Sequence, residues 1–145
     1  EEMNTYLESL VSKWKKKEYP FCPLTQWQLV ESLALMKEFS WAQIILDIPT
    51  HREKNNTLDG TIGTILDFWK MIITLITDQK ALKKQHHFST FEVQLFFAPK
   101  YYELIFTRVM GSSKYLRDFH QERFAKRSQE LIDTTGYYYL QNWPN

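Results

Sequence analysis

The chain has 145 residues, a formal net charge of +1 and one cysteine, so it has room for one sizeable core but can form neither an intrachain disulfide nor a cysteine-based zinc site. Aromatic residues make up 16% of it, whereas glycine and proline number only 4 and 5, which excludes a disordered chain and favours helices over a turn-rich sheet protein. Residues 1–79 carry 8 Lys/Arg against 11 Asp/Glu and residues 80–145 carry 10 against 6, so basic charge gathers in the C-terminal half.

Met3, Tyr6, Leu7, Leu10, Val11 and Trp14 recur at helical spacing and predict an amphipathic helix over about 2–17. Lys13, Lys15, Lys16 and Lys17 crowd its last turn, where cations complement the helix dipole. The segment Tyr19-Pro20-Phe21-Cys22-Pro23 breaks that helix. Thr25 with Gln28 then reads as a capping box stapled by Leu24 and Leu29, predicting a helix from about Gln26 to Glu38. Ser40 with Gln43 repeats the pattern, stapled by Phe39 and Ile44, and opens a short helix that must end before Pro49. A polar loop over Thr50 to Asn56 leads to a cap at Thr57 or Asn56.

Leu58 to Ile76 is the most strongly periodic stretch. Leu58, Ile62, Ile65, Leu66, Trp69, Ile72, Ile73 and Ile76 share one arc of about 120°, and Phe68, Met71 and Leu75 widen it, leaving Asp59, Gly63, Asp67, Lys70 and Thr74 on a polar strip. This is the pattern of an enclosed helix. Asp67 and Lys70 interrupt the apolar run, which argues against a membrane span.

Asp78 to His87 is polar and basic, an exposed connection. Ser89 with Glu92, stapled by Phe88 and Val93, starts a helix near Thr90 on which Phe91, Val93, Leu95, Phe96 and Phe97 point in all directions. Pro99 either kinks this helix or opens the next. A helix from about Lys100 carries Tyr101, Tyr102, Leu104, Ile105, Phe106, Val109 and Met110 and stops at Gly111. Ser112 or Ser113 caps a last helix to about Asp133, ended near Gly136, with a stripe of Leu116, His120, Phe124 and Leu131 and with Phe119 to one side. The tail from Tyr137 to Asn145 is too aromatic for a linker and should fold back on the rest. The fold expected is all-α: a single globular domain spanning 1–145, with six or seven antiparallel helices around the apolar helix at about 58–77 and with Trp14, Trp27, Trp41 and Trp69 at least half buried. It opens at Glu1 with neither a basic nor an apolar leader and reads as a segment excised from a longer intracellular protein.

Catalytic chemistry finds no foothold in the pattern. No two of His51, His86, His87 and His120 stand three or four residues apart, so no metal site is expected. Cys22 lies in a turn with no helix start to bias its thiol, and no nucleophile elbow, phosphate loop or dinucleotide motif occurs, so neither a catalytic residue nor a cofactor is assigned. Gly60 and Gly63 suggest close approach of a neighbouring backbone or partner. Asp59 and Asp67 are too far apart along one helix for a carboxylate dyad, and Gly111-Ser112-Ser113-Lys114 could open a helix onto an anion.

Two binding readings remain. Lys83, Lys84, Lys114, Arg117, Arg123, Lys126 and Arg127 are the nucleic-acid candidates, but the last five surround their helix instead of forming one groove-tracking face. Phe91, Phe96, Phe97, Tyr101, Tyr102, Tyr137, Tyr138 and Trp143 offer more aromatic surface than a small core requires and are candidate anchors for another protein or for self-association. A protein-interaction or scaffolding domain without enzymatic activity is therefore the expected function.

Overall fold

The structure is a computed structural model that describes residues 2–16, 22–50, 57–78, 98–113, 116 and 118–145. The described residues are 81% helical, far above the typical one third, and include no strand. Among the described residues six α-helices follow one another: α1 (Glu2–Lys15), α2 (Pro23–Leu35), α3 (Phe39–Leu46), α4 (Thr57–Thr77), α5 (Pro99–Gly111) and α6 (Asp118–Thr135), with a 3-10 turn at Tyr138–Leu140. The chain groups into two compact units, Glu1–Lys70 and Met71–Asn145, the boundary falling within α4. The helix expected near Thr90 and the polar connections at 51–56 and 79–87 lie outside the described residues.

In the first unit, α1 buries Leu7 and Val11 on its apolar face while Tyr6 is 63% exposed. Trp41 of α3 donates its indole N–H to the Asn4 side-chain oxygen of α1 at 2.9 Å. The helix start expected at Gln26 comes three residues earlier. Proline at the first helical position already has the helical φ and gives up only an N–H that has no partner there, so Pro23 opens α2 and Cys22 is its N-cap. Thr25 therefore lies inside the helix. Ser40 likewise lies within α3, and Leu24 and Ile44, one member of each expected staple, are 41% and 38% exposed.

The α2–α3 junction leaves no spare residue. The amide of Lys37 bonds to the Ala34 carbonyl at 3.0 Å and that of Glu38 to the Leu33 carbonyl at 2.8 Å, while the Glu38 carbonyl already accepts the Ala42 amide at 3.0 Å. This is a Schellman closure with Lys37, at φ 64°, where glycine is usual. The two helices are then tied by Gln26, which is only 2% exposed. Its Nε2 donates to the carbonyls of Ile45 at 3.0 Å, Ile48 at 2.9 Å and Leu46 at 3.3 Å, and its Oε1 accepts the Thr50 hydroxyl at 3.3 Å. One amide side chain thus satisfies the carbonyl end of α3, which would otherwise face an apolar interior.

Along α4 the expected arc is realised from its second turn onward. Ile62, Ile65, Leu66, Trp69, Ile72 and Ile73 are 0 to 3% exposed, and Phe68 and Leu75 are also buried. Leu58 departs from the expectation at 58% exposure, since the first turn lies outside the buried run. Among the described residues nothing stands within 4 Å of where a Gly60 Cβ would be, so none of their backbones approaches it.

In the second unit Pro99 opens α5 as a first-turn proline, after Ala98 in a left-handed conformation. α5 and α6 cross where Gly111 meets Ala125: a Cβ on Gly111 would stand 3.0 Å from the Ala125 backbone nitrogen. A side chain there would require the Ala125 backbone to give by a few tenths of an ångström. The last helix begins at Asp118, later than the serines expected to cap it, because the Ser112 hydroxyl donates backward to the Arg108 carbonyl at 2.7 Å and so closes α5. Of the expected α6 stripe, Leu116, Phe124 and Leu131 are buried and His120 is partly so, with Ser128 and Ile132 added. Trp14, Trp27 and Trp41 are mostly buried and Trp69 is fully so.

Candidate interaction surface

The C-terminal tail folds back, as its composition suggests, and it does so with two faces. Thr135 ends α6, and Gly136, at φ 77°, turns the chain. Leu140 and Trp143, three residues apart, point inward and are 1% and 3% exposed. The half-buried Arg108 donates from Nε to the Trp143 carbonyl at 3.0 Å and from a terminal nitrogen to the Ser128 hydroxyl at 3.5 Å. Burial lowers the Arg108 pKa from its usual value, though an arginine in this range stays charged.

With Leu140 and Trp143 held inside, the tyrosines between α6 and Leu140 turn outward. Tyr137, Tyr138 and Tyr139 are 37%, 59% and 63% exposed. The Tyr137 ring meets Tyr101 of α5 edge-on at 5.6 Å and Tyr139 at 6.0 Å, and Tyr101 in turn meets Tyr102 at 5.1 Å. Edge-to-face pairs of this kind hold rings in preferred relative orientations.

The sequence candidates divide accordingly. Tyr101 and Tyr137 meet on this surface, and Tyr138 is exposed next to Tyr137 in the chain. Tyr102 and Trp143 do not offer surface at all: at 1% and 3% exposure they belong to the core, because α5 buries the face on which Tyr102 stands and the tail turns Trp143 beneath it. Phe91, Phe96 and Phe97 lie outside the described residues. Among the described residues three exposed aromatics stand outside the candidate anchors: Tyr6, Tyr139 and Phe119, the last 70% exposed beside the His120 ring. The signal for Tyr139 lies in the spacing of Leu140 and Trp143, which as an inward pair leaves the preceding tyrosines outside.

Of the basic candidates, Arg123, Lys126 and Arg127 are described, three and four residues apart on α6. Lys83, Lys84, Lys114 and Arg117 lie outside the described residues. Arg123 rests over the Phe124 ring, 5.4 Å from its centroid, and Lys126 is exposed. Arg127 is committed to acids: it makes a two-pronged pair with Glu103 at 2.9 Å and a longer one with Glu130 at 3.5 Å, and the Glu103 bond raises its pKa. Its charge is thereby offset on the surface.

Cys22 requires a correction. As the N-cap of α2 it does sit at a helix start, and its thiol pKa is lowered, first by the Thr25 hydroxyl 3.1 Å from Sγ and next by the Thr25 amide, against the opposing effect of burial. Gly111 and Ser112 close α5 and Ser113 is buried, while Lys114, the last residue of the possible anion cradle, lies outside the described residues. Among the described residues no three His, Cys, Asp or Glu side chains group as metal ligands. By length and composition alone, Leu58–Thr77 could cross a membrane, with a mean hydropathy of 1.3, but half of that window is buried inside the protein. No protein-family description, curated protein or solved structure matches this chain.

Proposed function

We propose that this chain is a non-catalytic interaction or scaffolding domain that binds another protein through the aromatic surface of its C-terminal half. The observation that carries the reading is the run Tyr137–Tyr139, exposed to 63% at Tyr139 yet fixed in place by the buried Leu140 and Trp143 on its C-terminal side. Rigid, amphipathic tyrosines lose little side-chain entropy on binding and can both bury area and donate hydrogen bonds, which is why they anchor interfaces. Tyr101, held against Tyr137, extends the group onto α5.

The experiment is affinity capture by the whole chain at moderate salt, compared with a Tyr138→Ser/Tyr139→Ser variant whose helical circular dichroism is unchanged. The reading expects a protein partner recovered by the first and lost by the second. Equal recovery by both would remove the tyrosine surface from the account, and recovery of nucleic acid alone would replace it.

A further inference from the structure

The tail reaches its docking position through a single turn. Gly136 adopts a left-handed φ of 77°, and no atom of the described residues lies within 4 Å of the position a Cβ would take. A right-handed conformation there would let α6 run on and carry the following residues away from the rest of their own unit. What the tail docks with is discrete: Leu140, Trp143, the Tyr137 ring against Tyr101, and the Trp143 carbonyl on Arg108. Tyr101 and Arg108 are seven residues apart and therefore lie on one face of α5. The docking position is complementary to this sequence and is filled by it, so an identical segment from elsewhere would make the same contacts.

We propose that the tail is exchangeable, so that two copies of this chain form a dimer in which Arg108 of each receives the carbonyl of Trp143 of the partner subunit. Exchange of an identical element keeps every docking contact, so hinge conformation and protein concentration set the balance. The short connection keeps the tail at a high effective concentration near its own docking position, which holds the unmodified chain closed until about millimolar concentration. A side chain at position 136 opposes the closed turn about fivefold per chain, and hence lowers the dimer dissociation constant roughly 25-fold for two hinges. This inference goes beyond the interaction reading, since it uses the docked side of the tail and not the exposed Tyr138 and Tyr139.

The test is sedimentation equilibrium of the full chain and of Gly136→Ala from micromolar to about millimolar concentration, with far-UV circular dichroism on each. The expected result is a folded Gly136→Ala dimer at concentrations where the unmodified chain is monomeric. Adding Trp143→Ala should abolish that dimer, and adding Tyr138→Ser/Tyr139→Ser should not. A Gly136→Ala protein that stays monomeric, or loses its helices at every concentration, overturns the proposal, because an exchanged tail would restore what the closed turn no longer holds. A dimer that survives Trp143→Ala, or vanishes with the tyrosine substitutions, overturns it as well and assigns association to another surface.

Discussion

Replacing Gln26 by methionine keeps the volume and the helix propensity of the side chain while removing both of its polar ends. Four hydrogen bonds are lost, three donated to the carbonyls of Ile45, Leu46 and Ile48 and one accepted from Thr50. Ile45 keeps the amide of Ile48 at 3.2 Å, so its carbonyl is not orphaned. The Ile48 and Leu46 carbonyls then face an apolar side chain, and each such group costs about 1–3 kcal/mol. Allowing some rescue by water at the more accessible of the two, the loss is about 3 kcal/mol, a large share of the 5–15 kcal/mol that holds an ordinary domain. Urea unfolding followed by tryptophan fluorescence measures it directly, since Trp27 and Trp41 stand on the two helices concerned. A change below about 0.5 kcal/mol at unchanged m-value would refute the reasoning, showing that water serves the carbonyl end of α3 as well as Gln26 does.

Lys37→Gly should stabilise the chain by about 1 kcal/mol in the same urea assay, because a side chain at φ 64° is strained and the Schellman bonds remain. Gly111→Val should cost about 2–3 kcal/mol and lower the thermal midpoint, since its Cβ alone would stand 3.0 Å from the Ala125 backbone. Cys22 should alkylate with a midpoint below that of an ordinary thiol, and Thr25→Val should move the midpoint upward. The sign for stability follows: a lowered folded pKa means the unfolded chain holds the proton to higher pH, so this contribution is present above the unfolded value and is lost as pH falls through the folded one.

How far the sequence could be read depended on how local the deciding interaction was. The α4 arc and the limits of α5 are written in residues three and four apart, and both were legible. The start of α2 was misread because Thr25 and Gln28 satisfy the spacing of a capping box, yet Pro23 two residues earlier fits the first helical position without cost. Gln26 carried no sign of its role, since its carbonyl partners lie 19 to 22 residues away. The same holds for the aromatics. Composition announced a surplus, but whether Tyr102 or Tyr101 faces inward depends on α6, and whether Trp143 is anchor or core depends on a turn at Gly136 and a bond to Arg108.

The salt dependence of partner binding tests the central claim most directly. If the exposed tyrosines carry recognition, affinity for the captured partner should change less than about threefold between 50 and 200 mM salt, because apolar burial and hydrogen bonds from neutral hydroxyls release no counterions. Tyr138→Ser/Tyr139→Ser should lower that affinity at least tenfold at either concentration, the loss expected for an interfacial anchor. A fall of about a thousandfold across the same range, with the tyrosine variant binding as the original does, would contradict the account and give the basic residues of the C-terminal half the binding role instead.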